Sequence, residues 1–126
     1  MKLRIKGNSI RLRVSRSDPS KLAGMGALED SVRFSEDPSA SWTYGILREE
    51  ALSHPTVLYR GTSVFVVLPN DEVERWAESG EVGIYFSMDL GSQGVLEVIL
   101  EKDFACLDRT IEDNEDMFPN PNTECL

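Results

Sequence analysis

The sequence predicts an α+β domain in which a curved or barrel-like antiparallel sheet of about seven or eight strands packs with two short helices. Three observations lead there. Apolar residues alternate with period two in many short stretches, only two segments carry helical spacing, and the two halves of the chain read alike. A length of 126 residues suits one domain. Hydrophobic residues make up 40% and charged residues 28%, a composition too apolar for wholesale disorder. No window approaches the roughly 20 apolar residues that a bilayer span needs. Met1-Lys2-Leu3-Arg4-Ile5-Lys6 alternates charge with apolarity where a signal peptide is continuously apolar. A soluble, cytoplasmic protein without membrane association is the expectation.

Taken in order, Leu3 and Ile5 alternate with Lys2, Arg4 and Lys6. After Gly7-Asn8, the residues Ile10, Leu12 and Val14 alternate with Arg11 and Arg13. This is the pattern of a β-hairpin with one apolar and one basic face. Ser17-Asp18-Pro19 supplies a helix cap followed by Pro, and Lys21, Leu22 and Met25 continue a short helix that Gly24 or Gly26 ends. Val32 and Phe34, then Trp42, Tyr44 and Ile46, alternate on either side of the turn Asp37-Pro38-Ser39 as an antiparallel pair. Beyond His54-Pro55 and Val57-Leu58-Tyr59 comes the most apolar run, Val64-Phe65-Val66-Val67-Leu68, a candidate central strand closed by Pro69. Asn70-Asp71 with Glu74 resembles a capping box for a helix with Val73, Trp76 and Ala77 on one face and Gly80 as its C-cap. Val82, Ile84 and Phe86, a turn around Gly91 to Gly94, and Leu96, Val98 and Leu100 complete a last strand pair.

Ile10 to Glu49 and Val64 to Lys102 each read strand, cap, helix, glycine, strand, turn, strand. Asp18 matches Asp71, Phe34-Ser35 matches Phe86-Ser87, and Ile46-Leu47-Arg48-Glu49 matches Ile99-Leu100-Glu101-Lys102, at offsets of 52 or 53 residues. A duplicated β-α-β-β unit is therefore expected, within a single domain over residues 1–106. Residues 107–126 hold a dense acidic cluster and two prolines and read as an extended acidic tail.

Charge is divided unevenly. The chain holds 13 Lys and Arg against 22 Asp and Glu, for a net charge of -9, which argues against a general nucleic-acid binder. Yet residues 1–22 carry Lys2, Arg4, Lys6, Arg11, Arg13, Arg16 and Lys21 against Asp18 alone. Alternation gathers Arg4, Lys6, Arg11 and Arg13 on one face of the hairpin, where they would raise a positive potential suited to phosphate or carboxylate. The bland reading is a solvated strand face whose ion-pair partners are Glu97, Glu101 and Asp103.

Other candidates are thinner. Asp108, Glu112, Asp113, Glu115 and Asp116 offer oxygen ligands near Cys106 but lack calcium-loop spacing. Cys106 and Cys125 form no Cys-x-x-Cys pair and read as free thiols. His54 has no nucleophile or second histidine to accompany it, so no catalytic residue and no cofactor are expected.

The opening Leu3-Arg4-Ile5-Lys6-Gly7-Asn8-Ser9-Ile10-Arg11-Leu12-Arg13 and the closing Leu100-Glu101-Lys102-Asp103-Phe104-Ala105-Cys106-Leu107, with Glu112-Asp113 and Phe118-Pro119-Asn120-Pro121, resemble a family of small bacterial proteins of unknown function. That resemblance spans nearly the whole chain and implies a bacterial protein without supplying an activity. The order of elements also resembles, in topology, the triphosphate-tunnel (CYTH-type) barrels, whose eight-stranded antiparallel barrel holds a charged tunnel for polyphosphates. That family opens with a Glu-x-Glu-x-Lys strand that holds metal, where this chain has Leu3-Arg4-Ile5-Lys6.

The functional expectation is a non-catalytic binding module for a small phosphate-type anion or a protein partner. The alternative is a metal-dependent phosphohydrolase in which Arg4, Lys6, Arg11 and Arg13 hold phosphates and Glu97, Glu101 and Asp103 hold the metal. A third arrangement folds the acidic tail back on the basic hairpin.

Overall fold

The computed structural model describes residues 1–103; the predicted tail at 107–126, with Cys106 and Cys125, lies outside the described residues. Eight strands and two helices alternate in the order β1 (Lys2–Lys6), β2 (Ser9–Val14), α1 (Asp18–Met25), β3 (Ala27–Arg33), β4 (Ser41–Glu49), β5 (Thr56–Arg60), β6 (Ser63–Pro69), α2 (Asn70–Glu78), β7 (Gly83–Asp89) and β8 (Val95–Lys102). They form two four-stranded sheets rather than the single curved or closed sheet expected: β1-β2-β8-β7 and β3-β4-β6-β5. Hairpin partners are antiparallel, but β2 with β8 and β4 with β6 run parallel, so both sheets are mixed. A closed antiparallel barrel of the triphosphate-tunnel kind is therefore not what this chain builds.

The duplication is larger than the sequence suggested. Its unit is ββαββ, because Val57-Leu58-Tyr59 is a separate strand turning at Gly61 (φ 50°) into β6. Lys2 opposite Arg13 recurs as Thr56 opposite Val67, and Thr43 beside Ser63 recurs as Glu97 beside Ser9, each at an offset of 54 residues. Exchanging the halves thus exchanges the sheets. Each sheet is assembled from one hairpin of each half, joined by the parallel central pair.

Core positions obey the same offset. Leu12 corresponds to Val66, Val14 to Leu68, Leu22 to Trp76 and Ile46 to Leu100, and all eight are buried. Matching Ile46 with Ile99 was one residue out of register, which in a strand moves a side chain to the opposite face. Ile99 is only half-buried, whereas Leu100 is fully enclosed. The two helices pack on each other over one end of the sheets, where the even-numbered strands finish.

Helix ends follow the sequence in part. Gly26 closes α1 in the left-handed region (φ 84°), and Pro19 lies in the first turn. For α2 the expected capping box does not form: Pro69 is the N-cap without a side-chain hydrogen bond, and Ser79, not Gly80, is the C-cap. Cations from neighbouring strands serve the C-terminal ends instead. The Arg48 guanidinium donates to the carbonyl of Ala23 at the end of α1, and Lys102 Nζ donates to the carbonyl of Ser79 at 3.0 Å beyond α2. Arg48 and Lys102 are again 54 residues apart, and each places positive charge where a helix dipole is negative.

Trp76 anchors the covered end. Its side chain is fully buried and its indole N–H donates to the carbonyl of Val82 at 3.3 Å. Trp76→Ala removes the largest buried side chain and leaves that carbonyl one donor short, so the substitution should cost about 3–5 kcal/mol in urea unfolding, with Leu22→Ala, the equivalent position, at the lower end of about 2–5 kcal/mol.

Candidate functional site

The hairpin register fixes which side chains share the outer face of the first sheet. Leu3 and Ile5 lie opposite Leu12 and Ile10 on the core side, so Lys2, Arg4, Arg11 and Arg13 point the other way, together with Lys6. Lys2 sits directly opposite Arg13 and Arg4 directly opposite Arg11. Like charges so placed repel, so the sequence builds two unfavourable cross-strand pairs side by side.

The parallel neighbour β8 supplies part of the compensation. Glu101 Oε1 stands 3.1 Å from Arg11 Nε, and Asp103 lies 3.0 Å from Lys2 Nζ. The Arg11 and Glu101 atoms are both shielded from solvent but meet outside hydrogen-bond geometry, so charge pairing rather than a directed bond joins them. From β7, the Tyr85 hydroxyl donates to Glu101 Oε2 at 3.1 Å. Gly83, opposite Glu101 in the register, leaves room for both: a Cβ there would stand 3.1 Å from Glu101 Cγ and 3.1 Å from the Tyr85 oxygen.

Glu101 is thus committed to Arg11 and Tyr85, and Asp103 to Lys2. Glu97 lies on the same face, beside Ser9. Arg4, Lys6 and Arg13 have no carboxylate within ion-pair distance among the described residues. The four arginines and lysines singled out from the sequence are brought together, but Arg11 enters neutralised and the face looks outward from an open sheet. Among the described residues, no group of three or more His, Cys, Asp or Glu side chains comes together to hold a metal ion. His54 is exposed in the loop between β4 and β5.

The duplication provides an internal control on this face. In the second sheet the positions equivalent to Arg4, Arg11, Arg13 and Glu101 are Leu58, Phe65, Val67 and Leu47. The same fold accepts apolar side chains there, with the Phe65 ring laid against Gly45, whose Cβ position is 2.9 Å from Phe65 Cε1. The cations are therefore not a requirement of the architecture. Tyr85, which the sequence reading passed over, carried no signal of its own because its partner became visible only once β7 was placed beside β8.

A second feature lies between the sheets. The Met1 ammonium, just ahead of β1, is 3.7 Å from the Asp30 carboxylate on β3, across a gap that no ladder among the described residues closes. A groove of about 460 Å³ opens there, lined by Met1, Asp18, Lys21, Met25 and residues 27–30. Further along, Ile5 (60% exposed), Val32 (40%) and Phe34 (68%) leave apolar surface bare.

These features define a duplicated, two-sheet α+β domain with one cationic sheet face. The chain matches a family of unknown function, DUF7009, over residues 1–122, and belongs to that family. No curated protein and no solved structure matches it. Among the described residues, no helix is long and apolar enough to cross a membrane.

Burial, and then the negative charge of Glu101, raise the Tyr85 pKa above the ordinary value of 10.0, against a smaller opposing pull from Arg11. A raised tyrosine pKa means that the folded state holds the proton more tightly than the unfolded chain. The associated stability is present below about pH 10 and fades as the pH climbs through the folded value. Phenolate absorbance should show a late-titrating tyrosine that Tyr85→Phe abolishes and Glu101→Gln moves to lower pH.

Proposed function

We propose that this domain is a non-catalytic binding module whose β1–β2 face takes an acidic partner. The observation that carries this reading is the set Arg4, Arg13 and Lys6, cations held in two like-charged cross-strand pairs and one flanking position, where the second sheet has Leu58 and Val67 in place of the two arginines and keeps a cation, Arg60, only at the flanking position. An anion would offset the positive charge of Arg4, Arg13 and Lys6 that Glu101 and Asp103 do not balance. An open sheet face presents that charge to an extended or macromolecular surface, whose carboxylates Arg4 and Arg13 would take by paired N–H contacts. A phosphate-type small anion is the second reading, favoured by the close opposition of Arg4 to Arg11. The phosphohydrolase alternative needs Glu97, Glu101 and Asp103 as metal ligands, and two of these, Glu101 and Asp103, are engaged with cations of the same face.

Calorimetric titration with a ten-residue oligoglutamate peptide, and separately with inorganic triphosphate, tests this directly. The peptide should bind, weaken steeply between 50 and 200 mM salt, and lose about tenfold or more in affinity with Arg4→Ala plus Arg13→Ala, since each tenfold is about 1.4 kcal/mol. The same double substitution should change folding stability by less than about 0.5 kcal/mol. Tighter binding of triphosphate than of the peptide would select the small-anion reading, and binding of either that ignores both arginines would overturn the site.

A further inference from the structure

We infer that β5 pairs antiparallel with β5 of a second copy of this chain, so that the second sheets of two domains join into one continuous eight-stranded sheet. This goes beyond the reading of the cationic face and does not depend on it, since that face belongs to the other sheet and stays free in both copies. Three observations lead to it.

The first is the exposure of β5. It is an edge strand, paired among the described residues only with β6, and its consecutive residues Leu58 (37% exposed) and Tyr59 (70% exposed) bare apolar surface on opposite faces. An edge of this kind is a template for a further strand. The second is the placing of its main-chain groups. Arg60 and Ser63 flank the two-residue turn Gly61-Thr62 as a bonded pair, so alternation along the ladder turns the N–H and C=O groups of Val57 and Tyr59 away from β6. With Leu58 on a two-fold axis, Val57 of each copy meets Tyr59 of the other and these free groups bond one another. Leu58 then meets Leu58 at the closer, non-bonded position of the ladder.

Self-complementarity is the third, and it is what selects a second copy. In this register Arg60 faces Thr56 and no like charges meet. On the outer face Leu58 stands opposite Phe65, so the apolar row Phe65-Leu58 of one copy runs into Leu58-Phe65 of the other without a break. The other edges fail the same trial. Two-fold pairing of β1 would oppose Arg4 to Arg4 and Lys2 to Lys6, and that of β3 would oppose Asp30 to Asp30. Along β7 the one large apolar side chain that is exposed is Tyr85, and its hydroxyl is already held by Glu101. β1 and β5 are equivalent edges of the duplicated fold, yet only β1 carries charge at its centre, the device that keeps sheet edges apart. A five-residue edge makes a small interface, so a dimer of micromolar rather than nanomolar affinity is expected.

The test is sedimentation equilibrium of the full chain, with amide hydrogen exchange read by NMR, on the wild type and on Leu58→Arg, which gives β5 the side chain that β1 carries at the equivalent position. The wild type should dimerise as its concentration rises about a hundredfold through the micromolar range, and the Val57 and Tyr59 amides should exchange severalfold more slowly at the upper end. Leu58→Arg should associate at least about tenfold more weakly and lose that concentration dependence. Tyr59→Lys, at a well-exposed position, should do the same and serves as the variant if Leu58→Arg fails to fold. A wild type that stays monomeric throughout would overturn the inference, as would a dimer that the folded variants leave intact. So would slow exchange at Val57 and Tyr59 that ignores concentration, the mark of an edge covered within a single chain.

Discussion

Everything in this structure depends on the exchange of hairpins between the two halves of the chain. Neither ββαββ unit owns a sheet. Each contributes β1-β2 or β5-β6 to one sheet and β3-β4 or β7-β8 to the other, and the parallel ladders β2·β8 and β4·β6 are where the halves meet. The buried residues sit along those central strands and on the facing sides of the two helices. A half on its own would leave Leu12, Val14 and Ile46 without the strands that cover their flanks, so burial of the core and association of the halves are one event. Among the described residues this leaves four strand edges, β1, β7, β3 and β5, without a partner.

The outer faces then diverge freely, because the core does not constrain them. One sheet turned a row of arginines and lysines outward and balanced some of them with Glu101 and Asp103 from the other half; its counterpart has Leu58, Phe65 and Val67 in place of the three arginines, and Thr56 and Arg60 in place of Lys2 and Lys6. Since Glu101 and Asp103 come from the far end of the chain, the electrostatics of the face are completed only when the halves have interlocked. Arg11, Glu101 and Tyr85 span three strands and both halves, a link between fold and surface that no local segment contains.

Much of this was legible in the sequence, and the limits have physical causes. Strand alternation located six of the strands and the continuous apolar run Val64 to Leu68 a seventh, Gly26 closed α1 as its φ of 84° requires, and the basic hairpin emerged with the register its Gly-Asn turn implies. Parallel pairing could not be read, because β2 and β8 are 81 or more residues apart and alternation says nothing about which distant strand is the neighbour. The repeat was seen one residue out of phase because Ile46-Leu47 and Ile99-Leu100 look alike in composition, and only burial shows that Leu100 is the inward one. The capping box at Asn70 failed because Pro69 already begins the helix in extended geometry, which takes the position that the Asn70 side chain was expected to fill. Cation capping by Arg48 and Lys102 is a long-range contact with no local signature.

The interlocking of the halves is the central claim, and native-state hydrogen exchange on Leu12→Ala tests it most directly. Leu12 is on β2 in the first sheet. If the core is one cooperative unit, the slowest amides of β4 and β6 in the second sheet should lose protection by the same free energy as those of β2 and β8. Loss confined to β2 and β8, with β4 and β6 unchanged, would mean that the sheets are stable independently and that the exchange of hairpins does not hold the domain together.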